Sequence, residues 1–87
     1  MGFYQIKNKR KHQLERMVRK EFCQFNIIIY PYDLGYKFLE QITRLMHDRI
    51  DYLRCTRKIN YSEALFMSHC VSVYFAYYHK NMLKYID

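Results

Sequence analysis

Residues 61–86 read YSEALFMSHCVSVYFAYYHKNMLKYI, and the reading of this stretch decides the fold. Asn60 and Glu63 stand at the N-cap and N3 positions of a capping box directly before the apolar run, so a helix is predicted from Tyr61 onward. Met67, Val71, Tyr74, Tyr78, Met82 and Tyr85 recur at steps of four and three, which is one helical stripe. Ala64, Ser68, Ser72 and Ala76 put a small residue at every fourth position, a pattern that lets another helix backbone come close. Phe66, Cys70, Val73 and Tyr77 add a third apolar side. A helix apolar on nearly every side is central to a bundle, lies at an oligomer interface or sits in a membrane. The uncharged run from Ala64 to Tyr78 falls short of the ~20 residues needed to span a bilayer, so no membrane span is expected.

Two further helices are predicted upstream. His12 to Ile29 places Leu14, Met17, Val18, Phe22, Phe25, Ile28 and Ile29 within one arc, with Arg16, Arg19 and Lys20 opposite. Tyr30-Pro31-Tyr32-Asp33 ends it, because proline biases its predecessor away from helical angles and Asp33 can cap the second helix. That helix runs from Leu34 to about Lys58. Its apolar side holds Leu34, Phe38, Leu39, Ile42, Leu45, Met46, Ile50, Tyr52 and Leu53. Glu40, Arg44 and Asp48 alternate in sign on the other side, as a solvated face does. Ile59 and Asn60 make a short connection into the last helix. Three helices joined by tight turns imply an all-α, antiparallel three-helix bundle built around its C-terminal helix. Residues 1–11 are expected to form a basic N-terminal arm, and residues 12–87 a single helical domain.

At 87 residues the chain buries only about 60–65% of its unfolded surface, so it must pack well or associate. The formal charge of +7 is concentrated at the start. Lys7, Lys9, Arg10, Lys11, Arg16, Arg19 and Lys20 face only Glu15 and Glu21 within residues 1–22, seven cations against two anions. Such clustering attracts polyanions, whether nucleic acid, acidic protein or anionic lipid. Cys23, Cys55 and Cys70 are odd in number and widely spaced, a poor basis for a disulfide framework or a zinc site. They are expected to act as small core hydrophobes in a reducing, cytoplasmic compartment. Ten tyrosines, six phenylalanines and no tryptophan resemble the usage of AT-rich genomes, including many viruses and mobile elements.

Catalytic signals are absent from the sequence. There is no glycine-rich phosphate loop and no GxSxG or HExxH pattern, so no enzyme, cofactor or small-molecule substrate is expected. His47, Asp51 and Cys55 lie at i, i+4 and i+8, but a metal wants further ligands at motif spacing, and a salt-linked helix face is the simpler reading. His69, among Leu65, Val73 and Ala76, reads as a hydrogen-bonded core histidine. The function expected is therefore binding. The leading reading is a small interaction protein that binds a larger macromolecule, such as a viral or mobile-element inhibitor of a host complex. It would self-associate as a homodimer through Tyr74, Tyr77, Tyr78, Met82 and Tyr85, since large adaptable side chains are enriched at interfaces. A second reading is non-specific nucleic-acid binding through the seven N-terminal cations, and a third is an accessory subunit of a large assembly. Arg49 projects into the apolar arc of its helix, where an unpaired guanidinium is costly to bury. Either it waits for an acidic or phosphate ligand, or it forms a buried ion pair. Glu15 is the expected first partner, with Glu21 about 10 Å away along the axis and in reach only if the helices shift.

Overall fold

Asn60 and Glu63 form the capping box that their spacing requires. The Glu63 N–H donates to Asn60 Oδ1 at 2.8 Å, and the Asn60 N–H donates to Glu63 Oε1 at 2.9 Å. The structure, a computed structural model, describes residues 5–23 and 32–83, without the side chains of residues 32–34, 82 and 83. It is an antiparallel bundle of three helices, α1 (Asn8–Phe22), α2 (Tyr32–Cys55) and α3 (Tyr61–Leu83).

The direction of each helix follows from its side-chain contacts. Arg10 near the start of α1 meets Glu63 near the start of α3, and Phe22 at the end of α1 stacks on Tyr74 and Tyr78. Those two helices therefore run parallel. Tyr36 near the start of α2 packs edge-on against Phe75 and His79, and Arg54 near its end lies over the Tyr61 ring, so α2 runs the other way. The core is one cluster: Leu14, Val18 and Phe22 from α1, Leu39, Met46, Ile50 and Leu53 from α2, and Ala64, Met67, Cys70 and Val71 from α3, closed by Ile6 and Ile59. Fully burying each large member contributes about 1.5–3 kcal/mol. Both other helices pack chiefly on α3, and α1 and α2 touch each other least. The last helix is central, as its all-round apolar character required.

Boundaries differ from the sequence reading in physically instructive ways. α1 begins at Asn8, so residues 8–11 of the expected arm are helical, and Ile6 is buried just before them. Arg10 is held by Glu63 and the Lys58 carbonyl, which fixes this turn of helix against α3. α1 ends at Phe22, and the predicted continuation through Ile29 and the turn at Tyr30 and Pro31 lie outside the described residues. α2 begins at Tyr32, so Asp33 lies inside the helix rather than before it.

The exit from α2 is a Schellman turn. The Lys58 N–H donates to the Leu53 carbonyl at 2.9 Å and the Arg57 N–H to the Arg54 carbonyl at 3.0 Å. The turn needs one left-handed residue, and Arg57 takes that position at φ 61° without being glycine. Ile59 then drops into the core and delivers the chain to the capping box.

Candidate interaction surfaces

The seven N-terminal cations divide into two groups. Arg10 Nε donates to Glu63 Oε2 at 2.6 Å, and its terminal nitrogens reach Gln13 Oε1 at 3.2 Å and the Lys58 carbonyl at 3.3 Å. Burial pushes the Glu63 carboxyl up, but the Arg10 hydrogen bond, the Asn60 N–H and the Arg10 charge outweigh it and hold Glu63 below the usual carboxylate range. Lys11 Nζ lies 6.0 Å from the Phe66 ring centroid, a cation–π contact with α3. These two cations tie α1 to α3 and to the turn before it.

Lys7, Lys9, Arg16, Arg19 and Lys20 are exposed. On α1, Lys9, His12, Arg16, Arg19 and Lys20 fall within an arc of about 100° that contains no acid. Glu15 and Glu21 lie on the flanks and are engaged. Glu15 pairs with Arg19 at 3.9 Å and accepts the Tyr74 hydroxyl at 3.4 Å, while Glu21 pairs with Arg49 at 3.8 Å. His12 falls in this stripe by the same projection, and Lys9 joins it because α1 starts at Asn8 rather than at His12.

The tyrosines of α3 also divide. Tyr74 and Tyr78 stack on Phe22 at 5.7 and 5.9 Å between ring centroids and are half-buried against α1. Burial pushes both hydroxyls above the usual tyrosine value; the negative charge of Glu15 adds to it at Tyr74, and Cys23 and Tyr77 add to it at Tyr78. Tyr77 points outward, 59% exposed, edge-on to Tyr78 at 5.3 Å. The side chain of Met82 and all of Tyr85 lie outside the described residues. The outer face of α3 is instead formed by Leu65, His69, Ser72, Val73, Ala76 and Tyr77, all exposed. The sequence placed Val73 and Tyr77 on an apolar side but carried no sign that this side is the uncovered one. His69 is corrected from core to surface. The small-residue stripe splits, with Ala64 buried, Ser68 half-buried, and Ser72 and Ala76 exposed.

Arg49 requires a correction too. It is not buried: its side chain is 58% exposed and its partner is Glu21, not Glu15. Helical side chains tilt toward their own N-terminus, so in antiparallel helices Arg49 and Glu21 lean toward each other and close an axial gap that backbone positions alone leave open. Beside Arg49, Leu45 and Tyr52 are 59% and 62% exposed.

Of the cysteines only Cys70 is in the core, where burial and the nearby Glu15 charge raise its thiol to about 11. Cys23 and Cys55 are exposed, against the expectation that all three pack inside. His47, Asp51 and Cys55 line the exposed side of α2, and among the described residues no group of three His, Cys, Asp or Glu could hold a metal ion. No described helix is long and apolar enough to cross a membrane. No protein-family model, no curated protein and no solved structure matches the chain.

Proposed function

We propose that the protein acts by binding rather than by catalysis, as a small interaction protein that self-associates through the outer face of α3. The observation that supports this most is that face itself. It presents Leu65, Val73 and Tyr77 to solvent on a segment with no Asp, Glu, Lys or Arg from Ala64 to His79. In a chain of charge +7, an uncharged strip is where two copies can approach without repulsion. Exposed Ser72 and Ala76 on the same strip allow close backbone approach. Val73→Glu and Tyr77→Asp test this, because both side chains point outward and their replacement leaves the core intact. Light scattering should show the unmodified chain as a dimer and both variants as folded monomers. A strictly monomeric unmodified chain at high concentration rules the reading out.

A second reading rests on the acid-free face of α1. Lys9, Arg16, Arg19 and Lys20, all exposed, would meet the phosphates of a nucleic acid, with little sequence reading, since phosphate contacts position without specifying. Replacing these four by Gln should weaken binding to every duplex alike and flatten its salt dependence. Arg10 and Lys11 stay unchanged in that experiment because they support the bundle. An intact salt slope in the variant would move the site elsewhere.

A further inference from the structure

The flank of α2 that faces α1 is incompletely covered. At about 100° per residue, Leu45, Arg49 and Tyr52 fall within about 60° of one another, and Phe38 continues the row toward the start of the helix. Arg49 touches Glu21 of α1, whereas Tyr36, on the opposite flank, packs on Phe75 and His79 of α3. The row therefore lines the furrow between α1 and α2, the two helices that touch least. Met17 of α1 and Ile42 of α2, both only partly buried, form its floor. From residue 38 to residue 52 the row extends about 21 Å, roughly four helical turns. Steps of seven residues are the period at which two helices wound gently around each other stay in contact.

Charge decides what fits this furrow. Along its edges stand Lys9, Arg16 and Lys20 on α1 and Lys37 and Arg49 on α2, five cations against Glu21 and Asp48, a net +3. A second copy would bring the same positive edges and be repelled. Nucleic acid would leave the aliphatic floor unused, and a flat bilayer cannot enter a furrow between two helices.

We infer that the furrow between α1 and α2 is the docking site for an amphipathic helix of another protein, one whose apolar stripe is flanked by Asp or Glu. Its apolar side chains lie against Met17, Ile42, Leu45 and Tyr52, and its carboxylates meet Arg16, Lys20 and Arg49. The inference rests on the reading of this chain as a binding protein, but not on self-association through α3, which uses a different face and is measured by light scattering of the chain alone.

Three peptides of about three heptads test it with the full chain. The first carries Leu at a and d and Glu at e and g, whose mutual repulsion keeps it from pairing with itself. In the second Lys replaces the Glu, and in the third Gln replaces the Leu. Fluorescence anisotropy should show saturable binding of the Leu/Glu peptide only. Leu45→Glu and Tyr52→Glu, both at exposed positions, should each weaken it at least tenfold while the circular dichroism spectrum is kept. Joint Arg16→Glu and Lys20→Glu substitution should reverse the preference toward the Leu/Lys peptide, an exchange that a merely structural role would not produce. Equal binding of the Gln/Glu peptide, loss of charge preference, no binding of the Leu/Glu peptide, or indifference to Leu45→Glu overturns the proposal. So does binding of a duplex oligonucleotide or phosphatidylserine vesicles that Leu45→Glu weakens equally, since the furrow would then belong to that occupant.

Discussion

Arg10 joins three parts of the chain that are distant in sequence: its own helix, the Lys58 carbonyl of the turn and the capping box of α3. The Glu63 side chain is only 14% exposed, so the pair is partly shielded from water, and Arg10→Ala should cost about 1–2 kcal/mol in urea unfolding. A double-mutant cycle with Glu63→Gln would isolate the coupling. The pH dependence follows from the lowered Glu63 carboxyl. Its contribution is fully present above the ordinary carboxyl value of 4.5 and is lost as pH falls through the lower folded value. Arg10→Ala should therefore flatten the acid limb of the stability curve below pH 4.5. Arg57 offers the opposite outcome: at φ 61° it bears the left-handed penalty, and Arg57→Gly should raise stability by about 0.5–1 kcal/mol. Arg49→Ala should change stability by no more than about 1 kcal/mol, far less than a buried ion pair would, because the pair with Glu21 is open to solvent. Thermal unfolding of the three variants side by side orders these effects.

At the level of the helices, α3 is held on one side by Phe22 stacking on Tyr74 and Tyr78 and on the other by Tyr36 against Phe75 and His79. Phe22 is fully buried, so Phe22→Ala should cost about 3–5 kcal/mol, and Tyr77→Ala, on the outer side, should leave the melting temperature nearly unchanged at concentrations too low for self-association. The contrast is half legible in the sequence. The capping box at Asn60 and Glu63, the three helices and the central place of the last one follow from periodicity, because a buried stripe must repeat at the helical step. Which of the three apolar sides of α3 stays open does not follow, since periodicity marks apolar faces and says nothing of how many neighbours arrive to cover them. Arg10 shows the same limit. A cation in a basic run reads as surface charge until Glu63, far along the chain, is brought to its guanidinium. His69 and the ranking of Glu21 over Glu15 as the partner of Arg49 escape the sequence for related reasons: one depends on which side is open, the other on side-chain tilt rather than backbone level.

For the molecule as a whole, 87 residues imply a stability of the order of 5–10 kcal/mol, so the loss of Phe22 alone would remove much of it. A charge of +7 on so small a body opposes compaction. Raising salt to about 0.15 M shortens the screening length to about 8 Å and should raise the melting temperature, provided self-repulsion outweighs the exposed pairs Arg19–Glu15 and Arg49–Glu21. A melting temperature that falls with salt would show that those pairs dominate. The partition of the cysteines makes this stability observable in time. Cys23 and Cys55 stand ready for a thiol reagent, whereas Cys70 is enclosed and protonated at neutral pH. A maleimide should modify two thiols promptly and the third only when the bundle opens, so the slow phase is a clock, set in the protein's own thiol, that reads the opening of the core.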